Sequence, residues 1–210
     1  MCNLYRMAKS VDEVAGLFRA RPDRGANFGE EIYPGYPGLV VADGRVRSMN
    51  WGFPRPMTSK RTGLPIKPKA VNNAREDKLL TSFWRNSFEN RRCLIPVTAW
   101  AEAEGEQRRM TRTWHALPGT DVFAVAGIWR RSDEWGEVYS MVMVDDCAQM
   151  ADIHDRMPAM LLPADYDGWL HGTPDQALAL ARTLDLELRI DRTEEPWGER
   201  RASTTSGLLT

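Results

Sequence analysis

Residues 38–53, GLVVADGRVRSMNWGF, carry the strongest local folding signal in the chain. Asp43 and Gly44 stand there between two runs of residues that favour β-structure. An Asp-Gly pair suits the centre of a tight hairpin turn, because both residues tolerate the backbone conformation that such a turn requires. The stretch therefore predicts a β-hairpin, the smallest unit of an antiparallel sheet.

Similar β-prone runs follow this hairpin along the chain. They read RCLIPVTAW, RTWHAL, VFAVAGIW and VYSMVMV, with turn-forming residues between them. Several strands in succession predict a mostly antiparallel sheet that can close into a barrel.

Helices are predicted on either side of this sheet. Ser10 and Glu13 form a capping-box pattern at the start of a helix over about residues 10–20, and Thr173 followed by Pro174 begins another. The predicted class is α+β, with a mostly antiparallel, barrel-like sheet core flanked by helices.

The segment 54–69, PRPMTSKRTGLPIKPK, is predicted to be a long loop, because prolines, a glycine and cations occur without periodicity. It lies in a basic part of a nearly neutral chain. Residues 45–92 hold 12 Lys+Arg and 3 Asp+Glu, a balance of +9, whereas the whole chain has a formal charge of −1. Such a segment is typical of a phosphate-binding surface, although a solvated charged face gives the same count.

Length and composition limit the class of protein further. The 210 residues suit one domain over 1–201, with a disordered tail at 202–210. Neither a membrane span nor a secretory signal is indicated, and the three cysteines lack metal-ligand spacing. We therefore expect a cytoplasmic protein with reduced thiols, without a metal, a cofactor or a membrane partner.

The second residue raises a chemical question. If Met1 is removed, Cys2 carries a free α-amine and a thiol, a 1,2-aminothiol that can condense with an aldehyde and close a thiazolidine ring. An α-amine has a pKa of about 7.7–8.0, against about 10.4 for lysine, so it is far more often neutral and nucleophilic at pH 7. The plain alternative is that Cys2 merely follows the start codon.

Five stretches, taken in order, resemble one known family. They are MCNLYRM at the N-terminus, NWGF, NNAREDK at 72–78, RRCLIPVTAWAEAEG at 91–105 and IHDRMPAML at 153–161. Together they resemble the SRAP family, the SOS response-associated peptidase or abasic-site processing proteins, over about residues 1–163. The chain departs from the family pattern at Asn3, where glycine is common, at Ala101 and Ala103, and in the segment 145–149.

The resemblance implies a DNA-damage function. Cys2 would capture the ring-opened aldehyde of an abasic site in single-stranded DNA, and Asn73, Glu102 and His154 would complete the catalytic set. The protein would be a monomer that joins the nucleoid when bound to DNA. The residues expected to contact DNA are Arg6, Arg75, Arg156 and Trp51.

Two other functions stay open from the sequence. One is a cysteine peptidase in which His154 activates Cys2, with either a separate peptide or its own N-terminus as the substrate. The other is a single-stranded nucleic-acid binder without catalysis. The residues also have structural alternatives: a helix-start histidine for His154, an exposed acidic turn for Glu102, and turn chemistry for Asn73 beside Asn72.

Overall fold

A computed structural model describes residues 2–198 of the protein. The strands in this range are Leu4–Arg6 (β1), Arg21–Pro22 (β2), Glu31–Ile32 (β3), Pro37–Ala42 (β4), Arg45–Trp51 (β5), Phe53–Thr58 (β6), Pro65–Val71 (β7), Asn73–Arg75 (β8), Arg92–Val97 (β9), Ala99–Glu104 (β10), Thr111–Ala116 (β11), Phe123–Ser132 (β12), Gly136–Asp145 (β13), Arg156–Pro158 (β14), Met160–Leu161 (β15) and Arg189–Pro196 (β16).

The helices are short. The α-helices are Val11–Leu17 (α1), Arg85–Asn90 (α2), Tyr166–His171 (α3) and Pro174–Leu180 (α4), and 3₁₀ turns cover Glu76–Lys78, Ala148–Met150 and Pro163–Asp165. Helix α1 packs against β5, whereas α2 and α3 pack against β9. Within residues 2–198, no helix combines the length and the apolar character needed to cross a lipid bilayer.

Five strands close into a barrel. The order β5-β4-β9-β12-β13 returns to β5, because Val138 and Tyr139 of β13 pair in parallel with Asn50 and Trp51. The other pairings around the ring are antiparallel. The predicted α+β class with a mostly antiparallel, barrel-like core is confirmed.

A second sheet carries the N-terminal strand. Its order is β16-β11-β10-β1-β3, and β1 lies between β10 and β3 in antiparallel register. Leu4 pairs with Ala101 and Tyr5 pairs with Trp100. This sheet therefore places the residues that precede Leu4 next to the second half of β10.

The hairpin predicted at residues 38–53 is present as β4 and β5. Asp43 and Gly44 form its turn with φ angles of 51° and 69°, the left-handed backbone that both central residues of such a turn adopt. Gly38 at the other end of β4 lies where the hydroxyls of Tyr5 and Tyr139 hydrogen-bond to each other, and a side chain there would clash with both. The predicted helix starts are also confirmed, since Ser10 and Thr173 both form complete capping boxes.

The prediction of a long loop at 54–69 is wrong. Residues 53–58 and 65–71 instead form an antiparallel hairpin of β6 and β7, which we call the basic hairpin. The register of the two strands shifts between Arg55 and Met57, around Pro56. Proline disfavours a strand because it lacks an N–H, but at such an irregularity the missing N–H is tolerated. Gly63, with a φ angle of +70°, completes the tip.

The expectation of one domain over residues 1–201 stays a prediction. The tail predicted to be disordered at 202–210 lies outside the described residues.

Candidate active site

Cys2 is fully buried and lies two residues before β1. Its carbonyl oxygen accepts two hydrogen bonds, one from Nδ2 of Asn73 at 2.6 Å and one from Nδ2 of Asn72 at 3.0 Å. Its Sγ donates to the carbonyl oxygen of Leu4 at 3.4 Å. Two side-chain amides therefore hold the backbone of Cys2 and fix the direction in which its nitrogen and sulfur point.

Asn73 is the first residue of strand β8, and Asn72 immediately precedes it. Asn73 pairs in parallel with Met141 of β13, the long strand that closes the barrel. The Asn73 side chain is only 6% exposed, and its Oδ1 has no hydrogen-bond partner among the described residues. Asn73 is thus a buried strand residue rather than part of a turn, and its carbonyl can still accept a hydrogen bond from a substrate.

Asn72 was not among the predicted site residues. Besides Cys2, its Nδ2 also donates to Oδ1 of Asn3 at 3.2 Å. Asn3 is one of the positions that depart from the family pattern. Two asparagines that the sequence alone gave no reason to pair therefore meet beside the cysteine, and their proximity depends on the barrel bringing β8 to β1.

Trp51 holds Asn72 in position. Its Nε1 donates to the carbonyl oxygen of Asn72 at 2.9 Å, and its ring packs between Tyr5 and Tyr139, at 5.1 and 6.4 Å between ring centroids. The side chain is fully buried. The prediction that Trp51 contacts DNA is therefore corrected, because its ring has no surface on which a base could stack; it positions Asn72 instead.

Glu102 lies in the middle of β10, opposite Thr113 of β11, and is 2% exposed. The alternative of an exposed acidic turn is excluded. Burial raises the pKa of the Glu102 carboxyl to about 7, and the negative charge of Asp155 adds to the rise. A carboxyl with such a pKa exists in both protonation states near neutral pH, as a group that transfers protons requires.

The carboxyl of Glu102 acts electrostatically on the thiol of Cys2. The pKa of this thiol is raised well above its usual value, first by burial and then by the charge of Glu102. The pairing of Leu4 with Ala101 agrees with this, because the same register continued by one residue brings Glu102 beside Asn3. The cysteine and the glutamate therefore occupy one site.

His154 lies in the turn between the 3₁₀ turn at 148–150 and β14, so the helix-start alternative is excluded. Its Nδ1 accepts from the backbone N–H of Arg156 at 3.0 Å and lies 3.0 Å from Oδ1 of Asp155. The first contact favours the neutral ring with its proton on Nε2, whereas protonation would turn Nδ1 into a donor to Asp155. Burial lowers the pKa of His154, which favours the neutral form.

The predicted DNA contacts differ in their accessibility. Arg75 is 44% exposed and pairs with Asp77 through Nε at 2.9 Å and Nη2 at 3.0 Å. Arg156 is 15% exposed and lies 3.0 Å from both Glu76 and Asp145. Arg75 is thus the more accessible of these two arginines for a phosphate.

The side chain of Arg6 is engaged in contacts within the second sheet. Its guanidinium pairs with Glu31 at 2.9 Å and stacks on the ring of Trp114 at 3.7 Å from the ring centre. These contacts occupy the geometry that a bidentate phosphate contact would need, and the structure gives no support to the predicted DNA contact of Arg6. Across residues 2–198, no group of three or more His, Cys, Asp or Glu side chains could hold a metal ion.

The fold and the site together define a class of protein. It has a small mixed barrel and a buried cysteine as its second residue; side-chain amides at and just before the start of β8 hold this cysteine, and β10 supplies a buried carboxyl. Comparison with known families agrees. Residues 1–193 match the family "SOS response associated peptidase (SRAP)". The chain belongs to the SRAP family.

Curated relatives from Bacillus subtilis are similar over most of their length. The chain is 24% identical to "Abasic site processing protein YoqW" over 207 residues, covering 89% of both chains. It is 24% identical to "Abasic site processing protein YobE" over 188 residues, covering 81% of this chain and 82% of the relative.

Solved structures share the fold. A protein from Bacteroides thetaiotaomicron superposes with a TM-score of 0.75 at 19% identity, over 91% of each chain. A protein from Bordetella bronchiseptica gives a TM-score of 0.77 at 20% identity, over 91% of this chain and 99% of the other.

Proposed function

We propose that the protein acts in the DNA-damage response by capturing abasic sites in single-stranded DNA as a covalent adduct on Cys2, after Met1 has been removed. The observation that carries the proposal is that Asn73 and Asn72 both hold the carbonyl of Cys2, close to a carboxyl whose pKa is about 7. The names of the B. subtilis relatives support the substrate class.

The proposed reaction balances without a cofactor. The α-amine of Cys2 adds to the aldehyde carbon of the ring-opened sugar and gives a carbinolamine, which loses its hydroxyl as water and becomes an imine. Sγ then adds to the same carbon while the thiol proton passes to nitrogen, which closes the thiazolidine. One aldehyde and one aminothiol thus give one ring and one water molecule.

In this proposal Glu102 and His154 move the protons. The leaving hydroxyl needs a proton and the attacking amine and thiol must each lose one, and a carboxyl with a pKa of about 7 can do both near neutral pH. A neutral His154 with its proton on Nε2 can donate at the sugar. Asn73 orients Cys2, and its Oδ1 is suited to accept from a sugar hydroxyl.

The peptidase alternative is supported less well. A cysteine peptidase requires a thiolate, so its site lowers the pKa of the cysteine. Burial and the charge of Glu102 raise it here. We therefore propose any peptide cleavage as confined to the bond that precedes Cys2.

The first test is the mass of the protein before and after reaction. We expect purified protein to lack Met1, because an acylated nitrogen cannot form the imine. Incubation with an oligonucleotide that holds one abasic site should add the mass of the oligonucleotide less one water molecule. A protein that retains Met1 and still forms the adduct would show that the aminothiol route is wrong.

DNA binding should depend on salt, because exposed cations on and beside the basic hairpin would displace counterions. For single strands each phosphate contact contributes about 0.7 to the slope of log affinity against log salt concentration. Replacing Arg75 with alanine should lower that slope by less than one unit, measured by titration of single-stranded DNA at several salt concentrations. An Arg6→Ala variant serves as the control and should leave the slope unchanged. A slope that is unchanged in Arg75→Ala would remove Arg75 from the binding surface.

A further inference from the structure

A cleft lies at the foot of the basic hairpin, apart from the residues of the candidate active site. It has a volume of about 540 Å³ and opens between the base of the basic hairpin and the turn before β13. The lining residues used below are Asn50, Lys67, Ala70, Glu134 and Trp135. None of them belongs to the set proposed to react with the aldehyde.

The chain connects this cleft to Asn72, whose side chain hydrogen-bonds to Cys2. Ala70 precedes Asn72 by two residues, so their Cα atoms are within about 8 Å of each other. Asn50 precedes Trp51, whose indole donates to Asn72. A stacked DNA strand advances about 3.4 Å per nucleotide. A strand whose abasic site is at Cys2 would therefore reach the cleft within about four nucleotides.

Trp135 is held in place at the wall of the cleft. Its carbonyl oxygen accepts from Nδ2 of Asn50 at 2.9 Å, which ties the turn to β5. Its backbone N–H and that of Glu134 both donate to Oγ of Ser132, at 3.2 Å each. The indole is partly buried rather than covered. The ring packs against the hydrophobic core and also lines the cleft. An aromatic ring on an ordered turn, with part of its surface in a cleft, is a suitable platform for a base to stack on.

The opposite wall belongs to the basic hairpin, and Lys67 is its cation in the cleft. Residues 45–75 contain no Asp or Glu, and the basic hairpin presents five exposed cations, Arg55, Lys60, Arg61, Lys67 and Lys69. None of these five forms a salt bridge with another residue in the range 2–198. Unpaired cations beside an aromatic platform suit a nucleotide, which presents a phosphate and a flat base together.

We propose that this cleft binds one intact nucleotide of the damaged strand, within about four positions of the abasic site. Its base stacks on Trp135 and its phosphate lies at Lys67. The carboxyl of Glu134, which also accepts from Oγ of Ser132 at 2.8 Å, is placed to accept from an amino group on the base edge. The proposal rests on the proposed function, since it takes the strand to be one captured at Cys2.

The test couples a protein change to a DNA change. A set of oligonucleotides carries one abasic site and, at one position from one to four nucleotides away on either side, an unreactive base-free spacer. Loss of the base that occupies the cleft should weaken binding by the wild-type protein about 5- to 150-fold, the range that stacking of a base on an aromatic side chain supplies. In Trp135→Leu the same spacer should have no further effect, because the platform is already gone.

Matched variants make the test specific. Trp135→Phe keeps a ring and should keep most of the spacer effect, whereas Lys60→Ala removes a cation from the tip of the basic hairpin and should lower the salt slope but keep the spacer effect in full. A spacer effect of equal size in Trp135→Leu and in wild type would overturn the nucleotide site, as would the absence of any spacer effect in wild type.

A small aldehyde separates this proposal from the proposed function. 2-Deoxyribose 5-phosphate has no neighbouring base, so it should form the Cys2 adduct equally fast with wild type and Trp135→Leu. This result also shows that the variant is folded. If wild type fails to form an adduct with either aldehyde, the proposed function is wrong; if only the spacer effect is missing, the nucleotide site alone is wrong.

Discussion

Replacing Cys2 with serine should abolish the stable adduct with abasic DNA. The variant keeps an α-amine once Met1 is removed, so an imine can still form. A hydroxyl closes a much less stable ring than a thiol, and the imine should hydrolyse back to the aldehyde. Denaturing gels of protein with an abasic oligonucleotide should therefore show a heat-stable band for wild type and none for Cys2→Ser.

Borohydride provides the control for this variant. It reduces an imine to a stable amine, so a band that appears for Cys2→Ser only with the reductant would locate the amine at residue 2 and assign ring closure to the thiol. The buried Cys93 offers a matched change, because Cys93→Ser alters a thiol of the barrel that has no part in the proposed chemistry. A heat-stable adduct of Cys2→Ser without reductant would contradict the assignment of the nucleophile.

Replacing Glu102 with glutamine should slow adduct formation by about 10² to 10⁴, the usual contribution of a positioned proton-transfer group. Glutamine has nearly the same shape but cannot exchange a proton. The carboxyl titrates with a pKa of about 7, so the wild-type rate should show an inflection near that pH. Time courses between pH 5.5 and 8.5 should show this inflection in wild type, whereas Glu102→Gln should keep only the inflection of the α-amine, at its own pKa of about 7.7–8.0.

His154→Ala supplies the comparison for Glu102. We expect it to act on proton transfer at the sugar, so the two variants should differ in the ratio of formation to reversal rates. Both should bind intact single-stranded DNA nearly as well as wild type, which separates a chemical role from loss of folding. Glu104→Gln is a matched control on the same strand, since Glu104 pairs with Arg192 outside the site. Wild-type formation and reversal rates in both variants would return Glu102 and His154 to structural roles.

Features that depend on neighbours in sequence could be predicted from the sequence. The turn at Asp43 and Gly44 and the capping boxes at Ser10 and Thr173 involve residues no more than three positions apart. Each satisfies its own backbone requirement whatever the rest of the chain does. The strand runs of the barrel were also visible, because buried strands are continuous apolar segments.

The basic hairpin could not be predicted from the sequence, because both of its strands contain proline and only their pairing in the folded protein shows that they are strands. A strand with proline is disfavoured locally, and only the partner strand shows that the irregularity at Pro56 is tolerated. The parallel closure of β13 on β5 is similarly hidden, since it joins residues about 90 positions apart. Neither pairing can be predicted from the local pattern of residues.

For the candidate site, the identities of the residues could be predicted from the sequence, but their burial and their contacts could not. Cys2, Asn73, Glu102 and His154 came from resemblance to a family, and their catalytic roles stay predictions. The burial of Glu102 could not be predicted from the sequence, because the nearby Glu104 and Glu106 favour an exposed turn. The contact of Asn72 with Cys2 was equally hidden, since it spans 70 positions.

Because Cys2 is buried in the folded protein, the time at which Met1 can be removed by another enzyme is limited. An aminopeptidase needs an extended N-terminus, whereas the folded chain encloses residue 2 completely. Strand β10, which pairs with the strand that follows Cys2, begins at residue 99 and is synthesised long after the N-terminus leaves the ribosome. At about 5–20 residues per second, roughly 5–20 seconds pass before that strand exists. Trimming by another enzyme would therefore have to happen on the nascent chain, and molecules that miss this interval would need to free Cys2 by themselves.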